Sequence, residues 1–354
     1  MRPIVARISL DALANNLRVA RQHAGQSRII AVVKANAYGH GLTRALRALA
    51  SSDGFGVLTV DEAANLRQMG VDKPILLLEG FFQASELPAI VELGLTPVLH
   101  SPEQLTLLSR QPFSAPVNVF VKFNSGMNRL GFPLERFDQV IGQVKALKNV
   151  QSITLITHFA TADDKRGAAW QAELFLAKVG GAGLPLTMAN SAALLRYPQF
   201  NYDWVRPGIM LYGASPFADA SAESLGLKPA MTLQSEVIAV QHLKAGEGLG
   251  YGLSWQADKP TRVGVVACGY GDGYPRHAPS GTPLGVNGKR SRTLGRVSMD
   301  MLYVDLSELP DSGVGSAVTL WGEVLPVEDV ARSAGTISYE LLCALAPRVP
   351  VVET

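Results

Sequence analysis

Between residues 29 and 213, short runs of β-branched and apolar residues alternate with polar loops and with stretches of helical periodicity. Apolar runs of this length predict buried strands, and the stretches between them predict helices. Helix-start signals stand at the beginning of two of the helical stretches: Asp61 at one N-cap position, and Ser101-Pro102-Glu103 opening another helix. The pattern predicts strands at 29–34, 55–60, 75–79, 96–99, 117–123, 153–158, 186–188 and 205–212. Eight such units within about 200 residues favour a (β/α)₈ barrel over an open doubly wound sheet.

After Lys228-Pro229 the pattern changes to runs rich in Val, Ile and Thr, separated by Gly, Pro and Asp. These runs predict strands at 231–240, 262–267, 291–298, 302–306 and 317–321, and helical periodicity returns only at 327–333 and 339–345. The expected fold is therefore α/β: a TIM-like barrel in residues 1–228, followed by a mostly β domain in residues 229–354.

Composition narrows the class of protein. A chain of 354 residues agrees with two domains at a prior of about 150 residues each. Lys and Arg number 32 against 30 Asp and Glu, for a net charge of +2, which argues against binding nucleic acid or an anionic membrane through a basic surface. The expected partner is a small molecule.

Cysteine usage and the N-terminus bear on location. Cys268 and Cys343 lie far apart without a CxxC pair, which argues against a disulfide scaffold or a cysteine zinc site. Arg2, Arg7 and Asp11 interrupt any apolar stretch at the start, so no secretory signal is expected. The apolar runs are strand-sized and too short to span a membrane. We expect a cytoplasmic protein.

In a (β/α)₈ barrel the chemistry lies where the strands end, at the carboxyl side of the sheet. Lys34 directly follows the first predicted strand. Shielded from water at the barrel mouth, such a lysine offers a neutral amine nucleophile. The alternative is a lysine whose stem covers the strand end while its charge reaches solvent.

The fifth and sixth strands bring further candidates to the same mouth. Lys122 and Arg129 would make it cationic, and the planar fork of an arginine suits a substrate carboxylate. A surface ion pair is the alternative for Arg129. His158 ends the sixth strand and is either a hydrogen-bonded core residue or a catalyst.

The loops after the seventh and eighth strands look like a phosphate cradle. Asn190-Ser191 begins a helix, where an anion is received or the helix is simply capped. Arg206 needs a partner if buried, and Gly208 lets the backbone approach an anion. A lysine, a phosphate cradle and an inward arginine suggest pyridoxal 5′-phosphate or a phosphosugar. The first is favoured, because a self-contained aldolase barrel has no use for the second half with its segments 249–252 and 296–300.

These segments together resemble a known family. The cofactor-lysine signature of bacterial alanine racemases is similar to residues 31–41, AVVKANAYGHG. Further matches follow in the same order and spacing from about residue 5 to residue 350: SGMNRLG at 125–131, WVRPG at 204–208, LGYG at 249–252, GYGDGYPR at 269–276 and RVSMD at 296–300.

The resemblance implies a two-base alanine racemase that works through a pyridoxal 5′-phosphate aldimine on Lys34. Lys34 would be the base on one face of the substrate α-carbon, and the partner subunit's Tyr251 the base on the other. The enzyme would thus be a homodimer with shared active sites. It would supply D-alanine for peptidoglycan or degrade it.

The resemblance also assigns supporting roles. Arg206 would face the pyridine nitrogen and His158 would help it to tune Tyr251. Arg129 and the backbone of Met299 would hold the substrate carboxylate, and Lys122 falls at a position that is often carbamylated. The remaining matches are cofactor-binding and corridor positions: Tyr38, Asn190, Ser191, Gly208, Ile209 and Tyr339 for the cofactor, and Asp163, Tyr270, Arg276 and Arg296 for the access corridor.

Four other functions fit less well. A basic amino acid decarboxylase on the same architecture would present an acidic residue to the ring nitrogen and a cysteine in the partner loop, where this chain has Arg206 and Tyr251. A non-catalytic cofactor carrier would resemble the barrel alone. A broad-specificity racemase would carry an export signal. A D-serine dehydratase would need a metal site, and the six histidines form no His/Cys cluster in the sequence.

Overall fold

In the computed structural model, which describes residues 2–111 and 114–354, eight parallel strands close into a barrel. Each strand pairs with the next, and the first also pairs with the eighth. The predicted barrel is confirmed. In chain order its strands are Arg28–Val32, Gly54–Val57, Ile75–Leu77, Thr96–Leu99, Val117–Asn124, Val150–Ile156, Leu186–Thr187 and Trp204–Val205. A short strand, Phe132–Pro133, pairs with the fifth.

Helices surround the barrel and bury their apolar faces against it. They are Leu10–Ala24, Leu42–Ala48, Val60–Gln68, Leu87–Glu92, Pro102–Arg110, Phe137–Lys145, Ala169–Val179 and Ser191–Arg196. Ser101 caps its helix as expected, by accepting from the Gln104 N–H at 3.3 Å. The N-cap expected at Asp61 is wrong. Thr59 takes that role instead, because its hydroxyl and the carboxylate of Glu62 form a reciprocal capping box.

The eighth strand is shorter than expected from its apolar run. Residues 205–212 were expected to be one strand, but pairing ends at Val205, and Ile209–Tyr212 forms a 3₁₀ helix. Pro207 has no N–H to continue the ladder, although its carbonyl still accepts from the Val32 N–H at 3.0 Å. Residues 209–212 are all buried, so an apolar run alone does not separate strand from helix there.

The second half forms an antiparallel sheet, as the pattern predicted. Its strands are Met231–Leu243, Thr261–Val266, Pro283–Val286, Lys289–Leu294, Leu302–Asp305 and Ala317–Trp321, with a hairpin of Gly248–Leu249 and Trp255–Gln256. Helices Val327–Ala334 and Ser338–Cys343 follow. The strand expected over 291–298 ends at Leu294, because Gly295 adopts a left-handed φ of +63°.

Two short terminal strands join this second sheet. Val5–Ile8 pairs antiparallel with the start of Met231–Leu243 and parallel with Val351–Glu353. The first strand of the chain therefore packs with the β domain, although it lies within the range 1–228. The domain division at 228/229 stays a prediction. In the described residues, no helix is long and apolar enough to cross a membrane.

Candidate active site

A cavity of about 440 Å³ opens at the carboxyl ends of the barrel strands. It collects eleven of the predicted site residues: Lys34, Tyr38, Lys122, Arg129, His158, Asn190, Ser191, Arg206, Gly208, Ile209 and Tyr339. Tyr339 comes from the helix Ser338–Cys343 of the β domain. A larger cavity of about 670 Å³ lies at the other end of the barrel. Its floor is apolar and includes Phe120 and Trp204, and Arg28 and Lys145 are the cations in its lining. The ionisable groups therefore converge at the carboxyl end.

Lys34 begins a turn of left-handed backbone. Ala35, Asn36, Ala37 and Tyr38 have φ values of 51° to 54°. This conformation costs L-residues roughly 1–2 kcal/mol each, so four in succession need support from their surroundings. Tyr38, at the end of the turn, and Lys34, at its start, both line the cavity.

Hydrogen bonds from neighbouring segments hold this turn. The Glu62 carboxylate accepts from the Ala35 N–H at 3.1 Å and from the Leu58 N–H at 2.8 Å. The Asn36 side chain accepts from the Leu42 N–H at 2.9 Å. Strain of this kind clusters at functional sites.

Arg206 is buried at the end of the eighth strand. Its guanidinium donates to the Thr187 hydroxyl, to the Thr157 carbonyl at 2.7 Å and to His158 Nδ1 at 3.4 Å. Burial lowers the pKa of Arg206 to about 9, which leaves it protonated at neutral pH. Since arginine only donates, His158 Nδ1 is an acceptor here. Burial, and then the charge of Arg206, lower the pKa of His158 far below its usual value, so its imidazole is neutral.

Lys122 is a buried lysine with little opposite charge near it. Burial lowers its pKa to about 8, and the charges of Arg206 and Arg129 act in the same direction. Glu79 opposes this shift, and it is the one carboxylate among the described residues that line the cavity. Arg129 is exposed at the rim.

The loops after the seventh and eighth strands, which were predicted to hold a phosphate, approach each other closely. The Ser191 hydroxyl accepts from the Gly208 N–H at 2.9 Å. A Cβ at position 208 would stand 2.6 Å from Tyr38 Oη, so any larger residue there would displace that phenol. Asn190 acts as a helix cap, accepting from the Ala193 N–H at 3.0 Å; this is the simpler of the two roles considered for it.

The remaining predicted residues lie outside this cavity. Tyr251, Tyr270, Arg276, Arg296 and Met299 belong to the β domain and do not line it. Tyr251 is 73% exposed and Met299 is 53% exposed. Asp163 lies close enough to Tyr339 for its charge to help raise that phenol's pKa, although burial is the larger cause.

Two ionisable cavity residues escaped the sequence reasoning, namely Glu79 and Cys343. Glu79 stood at the end of a predicted strand, which was the same signal that singled out Lys34 and Lys122. Cys343 carried no signal, because its helix comes from the other domain.

Models of one protein family match most of the chain. The model described as the alanine racemase N-terminal domain matches residues 8–216, and that of the alanine racemase C-terminal domain matches residues 230–353. The chain belongs to the alanine racemase family. It is 67% identical over 353 residues to the alanine racemase of Thiobacillus denitrificans, covering 100% of this chain and 96% of that one. It is 54% identical to that of Nitrosospira multiformis, covering 98% of each.

Solved structures of the alanine racemase family share the fold. The biosynthetic alanine racemase from Pseudomonas aeruginosa superposes with a TM-score of 0.98 at 45% identity, with 100% of both chains covered. The alanine racemase from Acinetobacter baumannii reaches 0.95 at 41% identity, again over 100% of both chains.

A buried carboxylate organises the loops that carry Tyr270 and Met299. Asp272 accepts from Arg2 at 2.7 and 3.0 Å, from Arg348 at 2.8 Å and from the Gly269 N–H at 2.9 Å. The Met299 carbonyl accepts from the Gly271 N–H at 2.8 Å. The exposed side chains of Tyr270 and Met299 are thus presented from loops that share one ionic anchor.

Replacing Ala35 by Gly should leave stability unchanged or raise it by about 1 kcal/mol, because glycine adopts left-handed φ without the Cβ clash. The matched control is Ala14→Gly, at an exposed position inside the helix Leu10–Ala24, which should lose about 0.5–1 kcal/mol. Urea unfolding at fixed protein concentration measures both. Equal losses for the two variants would contradict a left-handed turn at residue 35.

Replacing Asp272 by Asn should destabilise the protein by about 2 kcal/mol at neutral pH, because it weakens a buried acceptor of several charged donors. Burial alone would raise the pKa of Asp272, but the hydrogen bonds from Arg2, Gly269 and Arg348 outweigh it and lower that pKa. The carboxylate's stabilisation is therefore present above the unfolded pKa of about 4 and is lost as pH falls through the lower folded value.

The difference in unfolding free energy between wild type and Asp272→Asn should accordingly shrink in acid. Asp300→Asn is the control, because Asp300 also pairs with Arg348 but is half exposed, and such pairs contribute at most about 1 kcal/mol. A difference that does not depend on pH below 4 would argue against the ionic anchor.

Proposed function

We propose that this protein interconverts L-alanine and D-alanine, with pyridoxal 5′-phosphate as cofactor, as a homodimer whose active sites are shared between subunits. The observation that carries the proposal is the convergence of Lys34, Arg206 and a glycine-lined anion cradle in one cavity of a chain from the alanine racemase family. The cytoplasmic location, and the choice between supplying D-alanine for peptidoglycan and degrading it, stay predictions.

The residues present suit pyridoxal phosphate. Three hydroxyl side chains, Tyr38, Ser191 and Tyr339, line the cavity together with Gly208 and Ile209, beside the start of the helix Ser191–Arg196. These groups donate to a phosphate without adding charge. A Cβ at position 208 would fill the space next to Tyr38. The cofactor's ring would lie toward Arg206, and its carbonyl carbon toward the amine of Lys34.

When bound, the pyridoxal ring supplies an electron sink for the α-carbon of an amino acid. The amine of Lys34 would remove or return the α-proton on one face. Arg206 is already protonated and held by four acceptors, so it would offer the ring nitrogen a hydrogen-bond donor and a positive charge that disfavours protonation of that nitrogen. An unprotonated ring would be a weaker sink, which favours prompt return of the proton.

Racemisation needs a second proton donor on the opposite face of the α-carbon. The Tyr251 of the same chain does not line the cavity. We propose that the partner subunit's Tyr251 supplies it. Support comes from the exposed apolar side chains near this residue and Met299, which a dimer would cover: Tyr251, Leu253, Tyr270, Met299 and Met301 are 39–73% exposed. Large apolar side chains left exposed on loops of one chain favour an interface there.

The substrate carboxylate would bind at Arg129 and at the backbone of the partner subunit's Met299. Asp163, Tyr270, Arg276 and Arg296 would line the access corridor. Arg296 is close to the Tyr251 loop, since a Cβ on Gly252 would lie 3.4 Å from its guanidinium.

With L-alanine and pyridoxal phosphate, the purified wild type should bring the optical rotation to zero, and Lys34→Ala should not. Co-expression then tests the shared site. Lys34→Ala and Tyr251→Phe homodimers should each be strongly impaired, because each site lacks one base.

A one-to-one mixture of the two variants should regain about a quarter of wild-type activity, because about half the dimers would be mixed and each has one intact site. Stable rotation with wild type, despite bound cofactor, would overturn the racemase. Absence of recovery in the mixture would overturn the shared site alone.

We further propose that Lys122 is carbamylated. Its lowered pKa of about 8 keeps part of its amine neutral, and the neutral amine forms a C–N bond to CO₂ with release of a proton. The product is an anion that would compensate Arg129 and orient it. A carbamate is consistent with the shortage of acidic groups around Lys122.

With ¹³C-labelled bicarbonate near pH 8, a carbamate carbon resonance should appear in wild type and be missing in Lys122→Gln. It should weaken as the pH is lowered well below 8, because protonated amine does not react. An unchanged spectrum in Lys122→Gln would exclude this site.

A further inference from the structure

His40 is a fully buried histidine that the proposed reaction does not use. Its Nδ1 lies 2.9 Å from the Tyr38 carbonyl oxygen and 3.1 Å from that of Ala37. Because carbonyls only accept hydrogen bonds, Nδ1 carries the proton. Burial lowers the pKa of His40 to about 4, although these two backbone hydrogen bonds oppose the shift, so the ring is a neutral donor.

The two acceptors of His40 belong to the left-handed turn. Ala37 and Tyr38 are its last two residues, with φ of 54° and 51°. The imidazole reaches back over the turn and donates to the Tyr38 carbonyl. It adds a second donor to the Ala37 carbonyl, which also accepts from the His40 backbone N–H at 3.0 Å. The His40 side chain therefore favours the left-handed φ that the Cβ atoms of Ala37 and Tyr38 disfavour.

The ring of His40 is itself held in place. It lies 4.7 Å from the ring of Tyr212, which stacks on Tyr38 at 4.6 Å. Tyr212 donates its hydroxyl to the Val32 carbonyl at 2.8 Å, which ties the stack to the first barrel strand. The imidazole thus connects the turn to the barrel wall.

We propose that His40 is a positioning residue: its Nδ1–H, donated to the Ala37 and Tyr38 carbonyls, holds the left-handed turn that directs Lys34 and Tyr38 into the cavity. Its effect on catalysis rests on the proposed function. The chemistry that matters is the donor at Nδ1, and the volume of the ring is secondary.

Two variants separate the effect of the hydrogen-bond donor of His40 from the effect of its side-chain volume. Asn places its amide N–H close to the position of imidazole Nδ1 but loses the ring contact with Tyr212. Leu fills the space but donates nothing. Positioning predicts that His40→Asn keeps function at lower stability, whereas His40→Leu keeps stability better and loses function.

Three measurements report on the conformation of the left-handed turn. In His40→Leu, kcat for alanine should fall about 100-fold, as expected for a misplaced reacting group, with KM within about threefold. Amide hydrogen exchange in peptides spanning residues 33–42 should accelerate about tenfold. After borohydride reduction, the fraction of Lys34 carrying the pyridoxyl group, read by peptide mass spectrometry at limiting cofactor, should fall. His40→Asn should recover at least half of each loss on a logarithmic scale.

A rescue variant keeps the test informative if His40→Leu is unstable. Ala35→Gly, in the His40→Leu background, removes part of the cost of the left-handed backbone and should recover exchange protection and kcat. Ala14→Gly in the same background should recover neither.

The proposal is overturned if His40→Leu matches wild type in exchange and trapping, or if His40→Asn is no better than His40→Leu. If wild type itself fails to racemise alanine, the proposed function fails. Exchange and trapping then still decide the role of His40, because neither depends on turnover.

Discussion

The excess of positive charge in the cavity governs the rest of the site. Lys34, Lys122, Arg129 and Arg206 share a lining in which Glu79 is the one described carboxylate. Buried cations without counterions are costly, and two of these groups respond with lowered pKa values. A phosphate in the cradle, a substrate carboxylate at Arg129 and a carbamate on Lys122 would each supply negative charge. All three of these groups would therefore neutralise part of the positive charge in the cavity.

The backbone at Lys34 shows how the fold supports an unfavourable local conformation. Four left-handed residues follow the lysine, and three of them are alanine or tyrosine, for which this backbone conformation is unfavourable. The surrounding structure stabilises them through Glu62, the aromatic stack of Tyr38 and Tyr212, and His40. Local preference and global fold disagree here, as expected where a reactive group must be aimed.

The two domains contribute to the site in different ways. The barrel brings the ends of separate strands to one mouth, so residues as distant as Lys34 and Arg206 share a cavity. The β domain adds Tyr339 from its helix Ser338–Cys343, while Tyr251 and Met299 remain on its exposed surface. The strand Val5–Ile8 pairs with both Met231–Leu243 and Val351–Glu353. The start of the chain is therefore bound to the β domain, and this pairing restrains the β domain relative to the barrel.

Periodicity alone was sufficient for the barrel, because eight apolar runs alternating with helical stretches have few other ways to bury their faces. It also located Lys34, Lys122 and His158, since each directly follows an apolar run. Arg206 could be singled out because an arginine beside a buried strand needs a partner. By contrast, Val5–Ile8 forms through pairing with distant segments and has no local pattern. The early end of the eighth strand does have a local mark in Pro207, which lacks an N–H, but the apolar run on both sides of it favoured a longer strand.

What the sequence determined by itself was which chemical groups are available at the strand ends and in what order. Only the tertiary structure decided that Cys343 joins them, that Lys34 stands on left-handed backbone, and that Tyr251 lies away from its own chain's cavity. The physical reason is that burial, φ and electrostatic coupling are properties of contacts between segments far apart in the chain. A single residue's identity does not specify them.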